Sequence, residues 1–223
     1  MLELASKILL CYLIGSIMGS LLVGRLKGGV DIRTMGSGNA GGTNALRTQG
    51  VVFALMVIVV DIGKGVIAAA VVPGLSLPGV PADPLLSEST LLLACSAAAV
   101  VGHLWPIWHR FRGGKGAATV LGTLIVIVPA MVLPLLLLWA WALALFGYVG
   151  LATMVAGAGA PLYMALMHLP HDQDVFFYCL AMSLLLIFSH RSNISRMLKG
   201  TESRNKRLML FRRGRGNSDD GKG

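Results

Sequence analysis

The stretch AATVLGTLIVIVPAMVLPLLLLWAWALALFGYV, residues 117–149, runs for 33 positions without a charged side chain. As one helix rising 1.5 Å per residue it would be about 50 Å long, against a hydrocarbon core of roughly 30 Å. It contains Pro129 and Pro134, and proline interrupts a helix by removing an N–H and crowding the preceding turn. The stretch therefore reads as two crossings, divided near Pro134. That division sets the parity of the whole chain, and parity decides which loops share a side of a membrane.

Five further apolar blocks surround it: 4–24, 51–72, 89–108, 151–167 and 174–189. Each matches a single crossing, giving seven in all. The two made from 117–149 are short, about 16 residues each, so local bilayer thinning or a dip from one side is expected. The opening Met-Leu-Glu-Leu-Ala-Ser-Lys has an acid before its first base, and no Ala-x-Ala site follows. Residues 4–24 thus read as a retained membrane helix rather than a cleaved signal.

Composition agrees. Hydrophobic residues make up 55% of the 223 positions and charged residues 13%, about half the charge of a soluble domain. Cys11, Cys95 and Cys179 stand alone within apolar runs, as small buried hydrophobes do. No zinc spacing is present.

The net charge of +9 is concentrated. Arg25, Lys27, Arg33 and Arg47 lie between the first two blocks, Arg110, Arg112 and Lys115 in linker 109–116, and ten Lys and Arg after residue 190. Only Lys7 and Lys64 fall elsewhere. Segments 73–88 and 168–173 contain Asp83, Glu88 and Asp172 but no Lys or Arg. The positive-inside rule puts the three basic groups in the cytoplasm. The expected fold is an all-α polytopic bundle of seven transmembrane helices, N-terminus outside and C-terminus cytoplasmic. Residues 1–203 form one integral membrane domain and 204–223 a basic, disordered cytoplasmic tail, read first as solvated chain and second as a segment lying on anionic lipid. No aromatic-basic reading module for nucleic acid is present.

Three loops carry the polar chemistry. In the first, Gly36-Ser37-Gly38-Asn39 and Gly41-Gly42-Thr43-Asn44 are dense in residues that tolerate positive φ. Such a backbone turns N–H groups toward one anion. Ser37, Asn39, Thr43 and Asn44 add neutral donors, and Arg47 a planar cation. In the second, Gly113-Gly114-Lys115-Gly116 precedes a helix, combining flexible backbone, one lysine and a helix N-terminus as phosphate sites do. The residue after Lys115 is glycine and no strand precedes the loop, so this is no nucleotide-hydrolase motif. The third follows the last crossing and contains His190, Arg191, Asn193 and Glu202. Arg196, Lys199 and Arg204 read equally as lipid-facing anchors. Asp61 and Lys64, three apart on one helix, read as an ion pair inside the bundle. His103, a lone histidine on an apolar helix, is as readily a packing residue as a catalyst. The fold and its loops leave two function classes open, an enzyme acting on phosphorylated substrates and a phosphate or organophosphate transporter. Transporters place their site at the midplane between repeated halves. Here the polar motifs gather at one face, which favours the enzyme.

Together these segments resemble the PlsY family, the acyl-phosphate-dependent glycerol-3-phosphate acyltransferases of bacterial inner membranes. The resemblance rests on Gly15-Ser-Ile17, Asp31-Ile-Arg33, Gly36-Ser-Gly-Asn39, Thr43-Asn44, Arg47, Asp61 and Lys64-Gly65. It continues in Val101-Gly-His103, Pro106, Gly113-Gly-Lys-Gly116, Ala118-Thr119, His190-Arg191 and Asn193-Ile194. The chain departs at Met18, where the family usually has proline, at Arg112, where it has lysine, and in a longer basic tail.

The resemblance implies transfer of a fatty acyl group from acyl phosphate to the 1-hydroxyl of glycerol 3-phosphate, without cofactor or metal. Ser37, Lys115 and His190 are the implied catalytic residues. Gly36, Gly38, Asn39, Thr43, Asn44, Arg47, Gly113, Gly114, Gly116, Arg191, Asn193 and Glu202 are the implied phosphate-binding set. The acceptors near these motifs are few: Asp31, Glu202, His103 and His190. Deprotonation of the hydroxyl is accordingly assigned to the substrate's own phosphate, whose second pKa is about 6.

Overall fold

A computed structural model describes residues 1–205 and 209–210. Among these residues every regular element is helical. The helices are α1 (Leu2–Gly15), α2 (Gly19–Leu26), α3 (Gly42–Gln49), α4 (Val51–Ala70) and α5 (Glu88–Leu104), then α6 (Ala117–Ile127), α7 (Pro129–Phe146), α8 (Val149–Met167), α9 (Gln173–Ser189) and α10 (Arg191–Leu198).

Four segments are long and apolar enough to cross a membrane: Val51–Gly74, Glu88–His109, Pro129–Phe146 and Val149–Met167. Two bent pairs, α1 with α2 at 47° and α9 with α10 at 51°, bring the number to six. Helix α6 is apolar but has 11 residues, about 16 Å, too short to cross alone.

The long apolar stretch is divided where Val128 meets Pro129, and not at Pro134. Val128 leaves the helical region at φ −140°, ψ 76° and Pro129 opens α7. The residue before a proline is pushed out of the helical region, and a proline in the first helical position loses no hydrogen bond. Pro134 stays inside α7. Two prolines compete for one break, and the break goes where proline costs least.

Helices pack closely through small residues, as membrane helices do. A side chain at Gly15 would meet the Ala99 carbonyl and one at Gly102 the Tyr12 carbonyl, so α1 and α5 are in backbone contact. Gly65 and Gly122 bring α4 and α6 together in the same way. Leu133, Leu137 and Trp141 of α7 and Phe177 and Leu184 of α9 are exposed, an apolar face suited to lipid.

The break between α1 and α2 is stitched from α4. Lys64 Nζ donates to the carbonyls of Gly15 at 2.9 Å and Ile17 at 2.7 Å. The first N–H of α2, on Gly19, donates to Asp61 Oδ1 at 3.2 Å. A cation meets the carbonyl end of one helix and an anion the N–H end of the next. The bend thus forms with methionine, not proline, at position 18.

The segment assigned as tail lies mostly outside the described residues. Of it, Arg204 Nε donates to the Phe146 carbonyl and the N–H groups of Asn205 and Leu210 to Gly147 and Ala144. These contacts tie its start to the α7–α8 turn.

Candidate active site

The connections α2–α3, α5–α6 and α9–α10 meet at one end of the bundle and enclose two adjoining cavities. In the first connection, Asn44, buried on α3, acts as a clip. Its Oδ1 accepts from the Ser37 N–H at 2.9 Å, and its Nδ2 donates to the carbonyls of Ile32, Met35 and Asn39. Gly36 and Gly38 have φ of 56° and 72°, where a side chain is strained. The Ser37 and Gly38 N–H groups are therefore committed inside the loop, the latter to Met35. Among the described residues the N–H groups of Asn39, Ala40, Gly41, Gly42 and Thr43 have no acceptor, the last two opening α3.

The second connection uses its backbone similarly. Gly113 and Gly114 N–H groups donate to the Leu104 and His103 carbonyls, closing the C-terminus of α5. They are thus unavailable to a ligand, and their lack of side chains has a packing reason. A Cβ at 113 would lie 2.0 Å from the His103 carbonyl, and one at 114 only 2.2 Å from His103 Nε2. The cationic element of this loop is Lys115, next to the N-terminus of α6.

The third connection grips Lys115. Its Nζ bonds Asn193 Oδ1. Asn193 Nδ2 donates to Glu202 Oε1 at 2.7 Å, and Arg196 Nε to Glu202 Oε2 at 2.6 Å. Burial, reinforced by Arg196 and Arg47 and opposed by Glu202, pushes the Lys115 ammonium down to about 8. Ser189 Oγ donates to the Lys115 carbonyl at 2.9 Å. His190 Nδ1 lies 2.8 Å from the Leu186 carbonyl, so this nitrogen carries the proton and Nε2 is the acceptor.

The larger cavity is about 390 Å³. Ser37, Asn39, Thr43, Asn44, Arg47, Lys115, Gly116, His190, Asn193 and Glu202 line its polar end. From there it continues between α6, α7, α8 and α9 past Leu124, Leu135, Trp139, Ala160 and Met182. Along α8 the lining runs from Gly150 to Ala160, about 15 Å at helical rise. The second cavity, about 320 Å³, is lined by Ser37, Gly38, Asn39, Gly113, Gly114 and Lys115 with Arg112, Arg191 and Arg196. Ser37, Asn39, Lys115 and Arg196 face both. Gly36 faces neither; it backs onto Asn44.

Four charged or imidazole-bearing lining residues stood outside the set read from sequence: Arg112 and Arg196, Asp61 and His103. Arg196 reads from sequence equally as a lipid-facing anchor, yet His190, Asn193 and Arg196 recur at three-residue spacing, a shared helix face. Asp61 and His103 line the larger cavity as well. The expected ion pair of Asp61 with Lys64 is present, Lys64 Nζ lying 3.1 Å from Asp61 Oδ1, and nothing in the sequence spacing of Asp61 and His103 signals the cavity. Asp31, counted among the acceptors, is held by its neighbour. Arg33 bonds it through Nη2 at 2.8 Å and keeps its carboxyl below the usual range.

Comparison with known proteins matches this arrangement. The family model described as "Glycerol-3-phosphate acyltransferase" matches residues 5–200. A relative of that name from Chlorobaculum tepidum is 36% identical over 225 residues, covering 92% of this chain and 97% of its own. One from Neisseria gonorrhoeae is 39% identical over 193 residues, covering 86% and 92%. The crystal structure of PlsY, an integral membrane glycerol 3-phosphate acyltransferase, in its glycerol 3-phosphate form superposes with a TM-score of 0.75. The sequences are 32% identical, with 90% of this chain and 94% of that one covered. Its lysophosphatidic acid form gives 0.74.

Proposed function

This chain belongs to the glycerol-3-phosphate acyltransferase family, and from that premise we propose that it takes its acyl group from acyl phosphate. The products are 1-acyl-glycerol 3-phosphate and inorganic phosphate, in the first acylation of phospholipid synthesis. The transporter reading falls away with family membership. The observation that carries the donor assignment is the single cavity that joins a cationic mouth to an apolar groove. An acyl phosphate has that same profile, an anion fixed to a hydrocarbon chain.

The roles follow from chemistry and position. The acyl chain lies in the groove and its phosphate between Ser37, Arg47 and Lys115. Glycerol 3-phosphate enters the second cavity, its phosphate against Arg112 and Arg191. The shared wall of Ser37, Asn39 and Lys115 brings hydroxyl and carbonyl together. His190 Nε2 accepts a hydrogen bond from the attacking hydroxyl and orients it. The hydroxyl oxygen bonds to the carbonyl carbon, the carbon–oxygen bond to phosphate breaks, and the proton passes to a phosphate oxygen. Lys115 and the N-terminus of α6 neutralise the departing phosphate.

Seven crossings are proposed, with the N-terminus outside, the loop end in the cytoplasm, and the bacterial cell membrane as location. The two bent pairs, the four long segments and α6 with its flanking residues supply them. Residues 1–203 are the catalytic unit. Single cysteines at Gly38, Arg112 and Ser192, in a background lacking Cys11, Cys95 and Cys179, react with an impermeant thiol reagent from the cytoplasmic side only. Labelling of any one from outside breaks this topology.

The test of function is purified protein supplied with palmitoyl phosphate and glycerol 3-phosphate. Phosphate release requires both, and acyl-CoA does not replace the donor. Robust turnover with acyl-CoA alone overturns the donor assignment.

A further inference from the structure

Two imidazoles face the larger cavity, and their hydrogen bonds give them opposite polarity. His190 presents Nε2 as an acceptor, because its Nδ1–H is tied to Leu186. His103 is reversed. Its Nδ1 lies 2.7 Å from Lys64 Nζ. The same Nζ lies 2.9 Å from the Gly15 carbonyl, 2.7 Å from the Ile17 carbonyl and 3.1 Å from Asp61 Oδ1. A carboxylate beside this nitrogen calls for an ammonium, whose three N–H groups go to the Gly15 and Ile17 carbonyls and to His103 Nδ1, with Asp61 as counter-charge. His103 Nδ1 is then the accepting nitrogen, and the proton of the neutral ring sits on Nε2. Asp61 balances the charge; its Oδ1 takes Lys64 at 3.1 Å and the Gly19 N–H at 3.2 Å, and stands farther, 3.5 Å, from His103 Nδ1.

The ring is 3% exposed and forms part of the cavity wall. Among the described residues no group bonds Nε2, which abuts the Gly114 backbone. The Nε2–H of a ring that lines the cavity is left for a ligand oxygen to satisfy.

We propose that His103 is a substrate-contacting donor whose Nε2–H, fixed in that tautomer by Lys64 and Asp61, bonds an oxygen of the acyl phosphate beside Lys115. This rests on the acyl-transfer reading above. A nitrogen that already bears its proton cannot serve as base, so His103 stabilises charge while His190 orients the hydroxyl. Lys64 and Asp61 are positioning residues. They hold the ring and its proton without touching substrate.

The test begins with wild-type protein in lipid nanodiscs, labelled with ¹⁵N-histidine. NMR finds His103 neutral, with Nε2 protonated and Nδ1 bare. Its Nε2 resonance moves when a non-cleavable acyl phosphonate is added. A shift with inorganic phosphate alone assigns the contact to a phosphate oxygen, and a shift only with the acyl compound assigns it to the carbonyl; both support the proposal. A ring protonated on Nδ1, or a resonance unmoved by saturating amounts of either compound, overturns it. In turnover assays His103→Gln, which keeps an N–H near Nε2, stays within about tenfold of wild-type kcat. His103→Phe loses about a hundredfold or more, as expected for removing one such donor, with the KM for glycerol 3-phosphate little changed. Normal kcat in His103→Phe overturns the proposal. The tautomer is measured without catalysis, and a wild-type protein inactive with both substrates would instead sink the acyl-transfer reading.

Discussion

On one side of Gly114 lies the Asp61–Lys64–His103 cluster, and on the other the chain Lys115–Asn193–Glu202–Arg196. The ion pair of the first is closed. Asp61 and Lys64 are 2% and 4% exposed, and each hydrogen of the Lys64 ammonium meets an acceptor. The second is open, with Lys115, Arg196 and nearby Arg47 outnumbering Glu202 at a cavity mouth. Charge within the bilayer must be compensated by protein, because no water is there to do it. Charge at the mouth is left in excess, where a phosphate completes it. Lys7 obeys the first rule too. It is buried, 2.6 Å from Glu3 and 2.6 Å from the Pro73 carbonyl. The two lysines outside the basic loops are thus both closed ion pairs.

The contrast breaks most visibly at Asp61. Asp61→Asn leaves Lys64 without a counter-charge, and removing one partner of a buried pair costs about 3–5 kcal/mol. Denaturant unfolding in detergent measures the loss, and Asp61→Asn with Lys64→Met recovers part of it. Wild-type stability in the single variant would show the cluster to be open to water.

Next comes Lys115. Lys115→Ala should lower kcat/KM a hundred- to a thousandfold, about 2.7–4 kcal/mol, while unfolding shifts by no more than about 1.5–3 kcal/mol, the loss of its bond to Asn193. Arginine should rescue poorly, because a planar fork does not replace a point charge. A variant that folds and keeps its kcat/KM would reduce Lys115 to a topology anchor.

Gly114 sharpens the comparison, since both clusters meet there. Its added Cβ would lie 2.2 Å from a ring that Lys64 holds in place. Gly114→Ala should therefore cost about 1–3 kcal/mol of stability, typical of overpacking, and kcat should fall with it. Lys64→Met, which frees the ring, should return part of the Gly114→Ala penalty in a double variant.

The smallest effect is in pH. A cation with its pKa depressed to about 8 is charged below that value and loses its proton above it. kcat/KM should be level near pH 7 and fall about tenfold per unit once well above pH 8. The weak activity of Lys115→Arg should stay flat over the same range, its guanidinium remaining protonated. An unbroken wild-type profile to pH 10 would mean that Lys115 is better solvated than its burial implies.

Much was legible in the chain itself. Apolar blocks of bilayer length mark the spans, and clustered Lys and Arg mark the loops that converge on the cavities. Glycines at positive φ were readable at Gly36 and Gly38, because a loop dense in glycine and asparagine admits little else. These are properties of local composition, and local composition survives without knowledge of contacts.

Other features needed partners far along the chain. Asn44 looked like a ligand donor, yet its amide is used on three carbonyls of its own loop. The Gly113 and Gly114 N–H groups looked like an anion nest, yet they close α5. Pro134 looked like the break, yet Pro129 takes it. His103 looked equally like packing and chemistry until Lys64, 39 positions away, settled which nitrogen bears the proton.

By itself, then, the sequence determined the membrane class, the approximate spans and the gathering of cationic loops, because hydrophobic length and charge add up residue by residue. Only the tertiary structure decided which donors stay free, where the helices break and which way each histidine faces. A hydrogen-bonding group has a fixed number of partners, and which of them it meets is set by packing rather than by its neighbours in the chain.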